Sequence, residues 1–263
     1  MDNAGLKITI LGCGTSVGVP ALGRAGWGDC DPKNPKNRRQ RCALLVQSQT
    51  TTILVDAGPD IRNQLLPHEL TKIDAILITH THADHIAGLD DIRTFYWPDR
   101  IKIPVYATEM HGKDITNRYP YLFEKAANSP SYFVPPLDHR LMKADEVIEI
   151  GDITVKTLHQ DHGNTTSLGF IFDDKCAYST DVVGMPDHNF DQLSGIPYWI
   201  VEALRTQTHQ AHSHLDQTLE WIKRVKPGQA YLTHLGLEAD YDVVEANTPS
   251  HVSPAYDGLT IMT

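Results

Sequence analysis

His80-Thr81-His82-Ala83-Asp84-His85 follows directly on the apolar run Ile76-Leu77-Ile78. Three imidazoles and one carboxylate in six residues, at the end of a buried-type strand, have the spacing of a metal site. Residues two apart on an extended chain point to one face, so His80 and His82 face the same way. Asp84 and His85 fall where the chain turns into a helical pattern at 86–95. Such a turn presents a carboxylate and an imidazole toward one spot. Imidazole nitrogen suits zinc and its first-row neighbours. The spacing divides the donors between two adjacent ions, His80 and His82 on the first and Asp84 and His85 on the second. Ions about 3.5–4 Å apart hold an attacking hydroxide and stabilise an in-line displacement.

Two sites need more ligands, and candidates close later β-type runs. His159 and His162 follow the run at 153–158, and spacing alone does not choose between them. Asp181 follows Ala177-Tyr178-Ser179-Thr180, and its two oxygens could bridge both ions. His234 follows Tyr231-Leu232-Thr233. Any one of these alone reads as a capping or core-edge residue; their shared strand-end placement makes them ligands. Asp56, in Val55-Asp56-Ala57-Gly58, either orients the ligand loop as a hydrogen-bond acceptor or simply forms a turn before glycine.

The chain of 263 residues can bury a large core and is read as one domain over 1–263. Its β-type runs, at 8–11, 44–46, 52–55, 75–78, 104–106, 153–157, 167–172, 177–179, 198–201, 230–232 and 259–262, outnumber the helical patterns. The clearest helix covers 215–225, with Leu215, Leu219, Ile222 and Val225 on one face and Pro227-Gly228 as its stop. Shorter helices fit at 61–66, 111–117 and 243–246. Without strict βαβ alternation, two mixed sheets packed together with helices outside are favoured, an α+β class. The segment 120–140, rich in proline and aromatics, reads as an ordered insertion near a site mouth.

A net charge of −10 repels a long polyanion and argues against a long nucleic acid as partner. A small anion is still drawn in by bound cations, whose charge dominates locally. No apolar run reaches the ~20 residues that cross a bilayer. Met1-Asp2-Asn3-Ala4-Gly5 lacks a signal-peptide pattern, so the expected location is the cytoplasm. Cys13, Cys30, Cys42 and Cys176 form no CxxC pair and are read as reduced thiols.

The strand, the HxHxDH hexapeptide and the downstream His, Asp and His resemble the metallo-β-lactamase superfamily. Gly12-Cys13-Gly14-Thr15-Ser16-Val17-Gly18-Val19-Pro20, followed by Asn37-Arg38-Arg39, looks like the branch of the carbon–phosphorus lyase accessory phosphodiesterases, which open 5-phosphoribosyl 1,2-cyclic phosphate. The resemblance implies an αββα sandwich with a dinuclear site at one edge of the β layers. It implies His80, His82 and His162 on one ion, Asp84, His85 and His234 on the other, and Asp181 between them. Matching the family's Phe-Gly segment to Leu168-Gly169 selects His162 over His159. The family's extra catalytic histidine maps to the segment His212-Ser213-His214-Leu215-Asp216 and points to His214. One departure stands out. The branch's structural zinc uses a cysteine cluster and a histidine three residues past the last ligand. Here there is a lone Cys30 and Leu235-Gly236-Leu237, so no structural zinc is expected.

The reading of function is then a dinuclear phosphodiesterase for a small, cyclic phosphodiester, using zinc or manganese, or iron. Hydroxide held between the ions and hydrogen-bonded to Asp84 would attack phosphorus, and His214 would protonate the departing alkoxide. Arg38 and Arg39 are candidate phosphate contacts. A thioesterase or lactonase could use the same hydroxide, and a metal-stabilised carrier protein could keep the same ligands. A homodimer fits the resemblance.

Overall fold

The computed structural model describes residues 5–263. Residues 1–4, read above for a leader, lie outside the described part. The chain begins with strands β1 (Lys7–Gly12), β2 (Ala43–Gln47) and β3 (Thr52–Val55), then α1 (Ile61–Leu65), β4 (Ala75–Leu77), α2 (Ala83–Ile86) and α3 (Leu89–Ile92). It continues through β5 (Ile103–Ala107), α4 (Glu109–Arg118), α5 (Pro120–Phe123), β6 (Leu137–Leu141), β7 (Val147–Ile150), β8 (Ile153–His162), β9 (Thr165–Phe172) and β10 (Cys176–Ser179). The last part holds α6 (Asp187–Leu193), β11 (Tyr198–Glu202), α7 (Leu215–Val225), β12 (Gln229–Thr233), α8 (Tyr241–Ala246), β13 (Val252–Pro254) and β14 (Thr260–Met262).

The strands form two seven-stranded sheets, ordered β14-β1-β2-β3-β4-β5-β6 and β13-β12-β11-β10-β9-β8-β7. Both are mixed: β1, β2 and β3 pair antiparallel and β3 to β6 parallel. In the second sheet β7, β8, β9 and β10 pair antiparallel, and β10 to β13 parallel. The period-two alternation of side chains explains the layering. On β2 and β3, Leu44, Val46, Ile53 and Val55 point between the sheets, against Val155, Phe170, Phe172 and Ile200. Their neighbours Leu45 and Leu54 point outward and pack with Ile61, Ile86, Leu89 and Ile115 of the first helical layer. On the other side Trp199 and Val201 of β11 pack against Phe190, Ile222 and Val225 of α6 and α7. The result is the expected αββα sandwich, and none of the described helices is long and apolar enough to cross a membrane.

Three strands were not legible: β6, β7 and β13. Each stands at or nearest the end of its strand order. Such positions need fewer apolar residues; β6 reads Leu-Asp-His-Arg-Leu, and three of its five residues are polar. The segment 120–140 is therefore not simply an insertion, since it contributes α5 and most of β6 to the fold. The helix expected over 86–95 is broken at Gly88 into α2, α3 and a 3₁₀ turn.

Candidate metal centre

All the predicted ligands converge at one edge of the sandwich, where the two sheets meet. His80 follows β4, and His82 is the N-cap position of α2, which carries Asp84 and His85. From the second sheet, His162 ends β8, Asp181 lies two residues past β10 and His234 follows β12. His159 and His162 are three residues apart on one strand, so they face opposite sides of the sheet. His162 is the one at the cluster.

Three groups of donors form, each with its atoms within 4.8 Å of one another: His80, His82, His162 and Asp181; Asp84, His85, Asp181 and His234; and Glu202, His212 and His234. Asp181 belongs to the first two. Its Oδ1 lies 3.8 Å from His80 Nε2 and 3.5 Å from both His162 Nε2 and His234 Nε2. Its Oδ2 lies 3.1 Å from His85 Nε2. Donors about 2.1 Å from a tetrahedral zinc stand about 3.4 Å apart, so these separations are those of shared cations. The buried Nε2 atoms of His80, His85 and His234 have no hydrogen-bond partner among the described residues. Orphaned buried polar atoms are costly, and a pair of divalent ions, one taking His80 and the other His85 and His234, would satisfy all of them.

The opposite ring nitrogens are held, which fixes the tautomers. His85 Nδ1 donates to Asp56 Oδ2 (2.7 Å), His162 Nδ1 to Ala211 O (2.7 Å) and His80 Nδ1 to Thr79 Oγ (3.1 Å). Asp56 is fully buried and also accepts from the Thr79 N–H (2.9 Å) and hydroxyl (2.8 Å). It is thus an orienting acceptor as well as a turn former. His82 differs: its Nδ1 lies 3.2 Å from His162 Nε2, so Nδ1 faces the cluster. Gly58 fits close under this turn, because a Cβ there would meet Asp84 O at 2.0 Å.

Asp56, Asp181 and His234 all have left-handed backbone, with φ of 62°, 52° and 55°. For non-glycine residues this costs roughly 1–2 kcal/mol each. The turns swing the side chains off their strand axes into one point. The electrostatics match. Burial opposes the charge on Asp181, but His234, His85 and His80 hold its carboxyl well below the usual range. Against burial, Asp181 and Asp56 push His85 well up, and Asp181 and Glu202 do the same to His234. Four carboxylates, Asp56, Asp84, Asp181 and Glu202, thus face the imidazoles and favour bound cations.

Two residues missed in the sequence complete it. Glu202, fully buried at the end of β11, faces His212 Nδ1 at 2.5 Å and His234 Nδ1 at 3.0 Å, and accepts from the Val182 N–H at 2.6 Å. His212 lies flat against His234, with ring centroids 4.9 Å apart and planes at 12°, and edge-on to His162 at 4.7 Å. His212 therefore replaces His214 as the histidine beside the cluster. His214 is the N-cap position of α7, where the chain leaves the site to lay the helix on the sheet, and it is not one of the clustered donors. The available signal was a carboxylate closing an apolar strand, Tyr-Trp-Ile-Val-Glu, beside the strand that delivers His234.

Arg39 is also corrected as a phosphate contact. It is 2% exposed, and its guanidinium donates to Gly236 O (3.5 Å) and Asn37 Oδ1 (3.2 Å) beside Cys30. It ties the Gly-rich N-terminal loop to the segment after His234. Arg38 is exposed and stacks over Trp27 at 5.1 Å.

A model of the beta-lactamase superfamily domain matches residues 51–235, which hold every ligand of the cluster. The chain belongs to the metallo-β-lactamase superfamily. A crystal structure described as a new diphosphatase from the PhnP family superposes with a TM-score of 0.89 at 31% identity, covering 98% of this chain and 97% of that one. An octanoyltransferase of Porphyromonas gingivalis is 30% identical over 97% of this chain, which spans only 51% of that protein's length. A ribonuclease Z of Methanopyrus kandleri is 27% identical over 50% of this chain and 44% of its own length.

Proposed function

We propose that this chain is a divalent-metal phosphodiesterase acting on a small phosphodiester of the ribosyl cyclic phosphate or cyclic nucleotide kind. The observation that carries the reading is the Glu202–His212 pair set against the metal cluster. Alkoxide leaves phosphorus poorly without a proton, so a positioned acid is what a phosphodiester demands. A thiolate leaving a thioester needs none. His80, His82, His162, Asp84, His85 and His234, with Asp181 shared, would hold two ions, and zinc, manganese and iron all suit this donor set. When bound, such ions supply hydroxide at neutral pH and neutralise charge on the phosphate oxygens.

This chain's own groups do the rest. Asp84, partly exposed at the mouth of the cluster, would accept a hydrogen bond from the attacking hydroxide and aim its lone pair. Glu202 fixes His212 Nδ1 and stabilises the imidazolium, leaving Nε2–H to be given to the departing oxygen. The diphosphatase and ribonuclease likenesses support phosphorus chemistry, and the net charge of −10 supports a small substrate over a long RNA. The octanoyltransferase's name covers a protein twice this length and carries no weight for the matched half. The test is turnover of bis(p-nitrophenyl) phosphate with added manganese or zinc, beside an octanoyl thioester and a lactone. Phosphodiester cleavage with both acyl substrates inert is the expected result. Faster hydrolysis of either acyl substrate would overturn the proposal.

A further inference from the structure

A polar groove of about 850 Å³ opens beside the metal centre, between Asn164 and the segment that carries Arg205, Thr208, His209 and Gln210. Its two walls are continuous with the site. Gly163 follows His162, and Ala211, which also lines the groove, accepts the His162 Nδ1 hydrogen bond and precedes His212. The His209 ring lies 4.9 Å from the His212 ring. In a chain of net charge −10, no carboxylate lines this groove. It offers a guanidinium, an imidazole, two amides and a hydroxyl. Arg205 is shaped in advance: Nε and Nη2 donate to Gln207 O (3.4 Å) and Thr208 O (3.2 Å) of its own loop. Two of its five N–H donors are thereby engaged, and the others remain for a ligand.

The direction of the chemistry gives this groove its role, and the step rests on the phosphodiesterase reading. His212 protonates the leaving oxygen, so the leaving half of the substrate lies on the His212 and His209 side. That is the side on which the groove opens. We propose that the groove seats the leaving half and that Arg205 binds an oxyanion carried by it, a phosphate or a carboxylate distinct from the phosphorus being attacked. Arginine's planar fork matches either group with paired hydrogen bonds. Arg205 is the groove's one fixed positive charge, and its free N–H donors are the groups that would read such an oxyanion.

The test is titration calorimetry of the metal-loaded protein with three ligands that differ only at C6: glucose 1-phosphate, glucose 1,6-bisphosphate and glucuronic acid 1-phosphate. The 6-phosphate should tighten binding at least tenfold over the 6-hydroxyl, and the gain should shrink with added salt. The carboxylate arm shows which oxyanion the site prefers. Arg205→Gln should bring the three ligands to one affinity, and Arg205→Lys should restore part of the spread. Equal affinities in the wild type, or a gain that survives Arg205→Gln, would overturn the proposal. Failure of the phosphodiesterase reading shows separately, as absent turnover of bis(p-nitrophenyl) phosphate, whose leaving group carries no oxyanion.

Discussion

His212→Ala separates proton donation from metal binding. The His212 side chain is only 16% exposed, stacked on His234 and held by Glu202. Deleting it does not orphan Glu202, which keeps the Val182 N–H hydrogen bond and the 3.0 Å contact with His234 Nδ1. The metal ligands therefore retain their supports, and the stability loss is limited to one charge-assisted hydrogen bond, about 1.5–3 kcal/mol. The catalytic loss is set by the leaving group. General acid catalysis contributes about 10²–10⁴-fold, or roughly 3–5 kcal/mol of barrier. All of it is at stake for an alkoxide, and little for p-nitrophenolate, which departs without a proton. The assay is kcat/KM of wild type and variant on a cyclic nucleotide and on bis(p-nitrophenyl) phosphate, with metal content measured on the same samples. The expected pattern is a deficit of at least a hundredfold on the first and under tenfold on the second, at equal metal content. Equal deficits on both substrates, or metal loss in the variant, would refute the assignment of His212 as the acid.

Asp56→Ala leaves His85 Nδ1 without its 2.7 Å acceptor and frees the ring to turn, so metal affinity should fall about 10–100-fold, read by competition with a chromophoric chelator. Unchanged affinity would reduce Asp56 to a turn residue. Asp257 should give the fold a pH dependence away from the metals. Burial raises its carboxyl to about 6 from 3.8, against hydrogen bonds from the Gln40 and Cys13 N–H groups and the charge of Arg39. The folded state thus holds this proton more tightly than the unfolded chain, and stability falls as pH rises from about 4 to 6, by about 3 kcal/mol. Asp257→Asn cannot ionise, so urea midpoints should show the variant gaining on wild type across that interval; parallel curves would count against the shift.

The hexapeptide was legible because it is local. Strand geometry and one helical turn place His80, His82, Asp84 and His85 together with no knowledge of the rest of the fold. The downstream ligands could be named only as strand-end polar residues, since their convergence depends on sheet order. Glu202 shows the limit. It stands opposite Thr233 in the β11–β12 register, one residue from His234, but that register is a tertiary fact. Likewise the choice between His212 and His214 is decided by where α7 begins, which the apolar periodicity of 215–225 leaves open by a residue or two. The left-handed turns at Asp181 and His234 were invisible for a related reason: aspartate and histidine tolerate that conformation better than most residues, but nothing local demands it.

The distribution of these groups over the fold has a consequence for how the protein can vary. The first sheet supplies His80 to His85 with Asp56, and the second supplies His162, Asp181, Glu202 and His234. The cluster therefore exists only when the two sheets are closed on each other, and a bound ion pins that seam. The hydrolytic groups sit on strand ends and short turns, most of them buried and tied by hydrogen bonds. Arg205, Thr208, His209 and Gln210 sit on a loop whose side chains are largely exposed. On the proposed reading, substitutions in that loop would change what leaves without moving what attacks. Relatives that keep the same donors can on this account act on different phosphoryl compounds, because the common chemistry and the choice of substrate are carried by parts of the chain under unequal packing constraint.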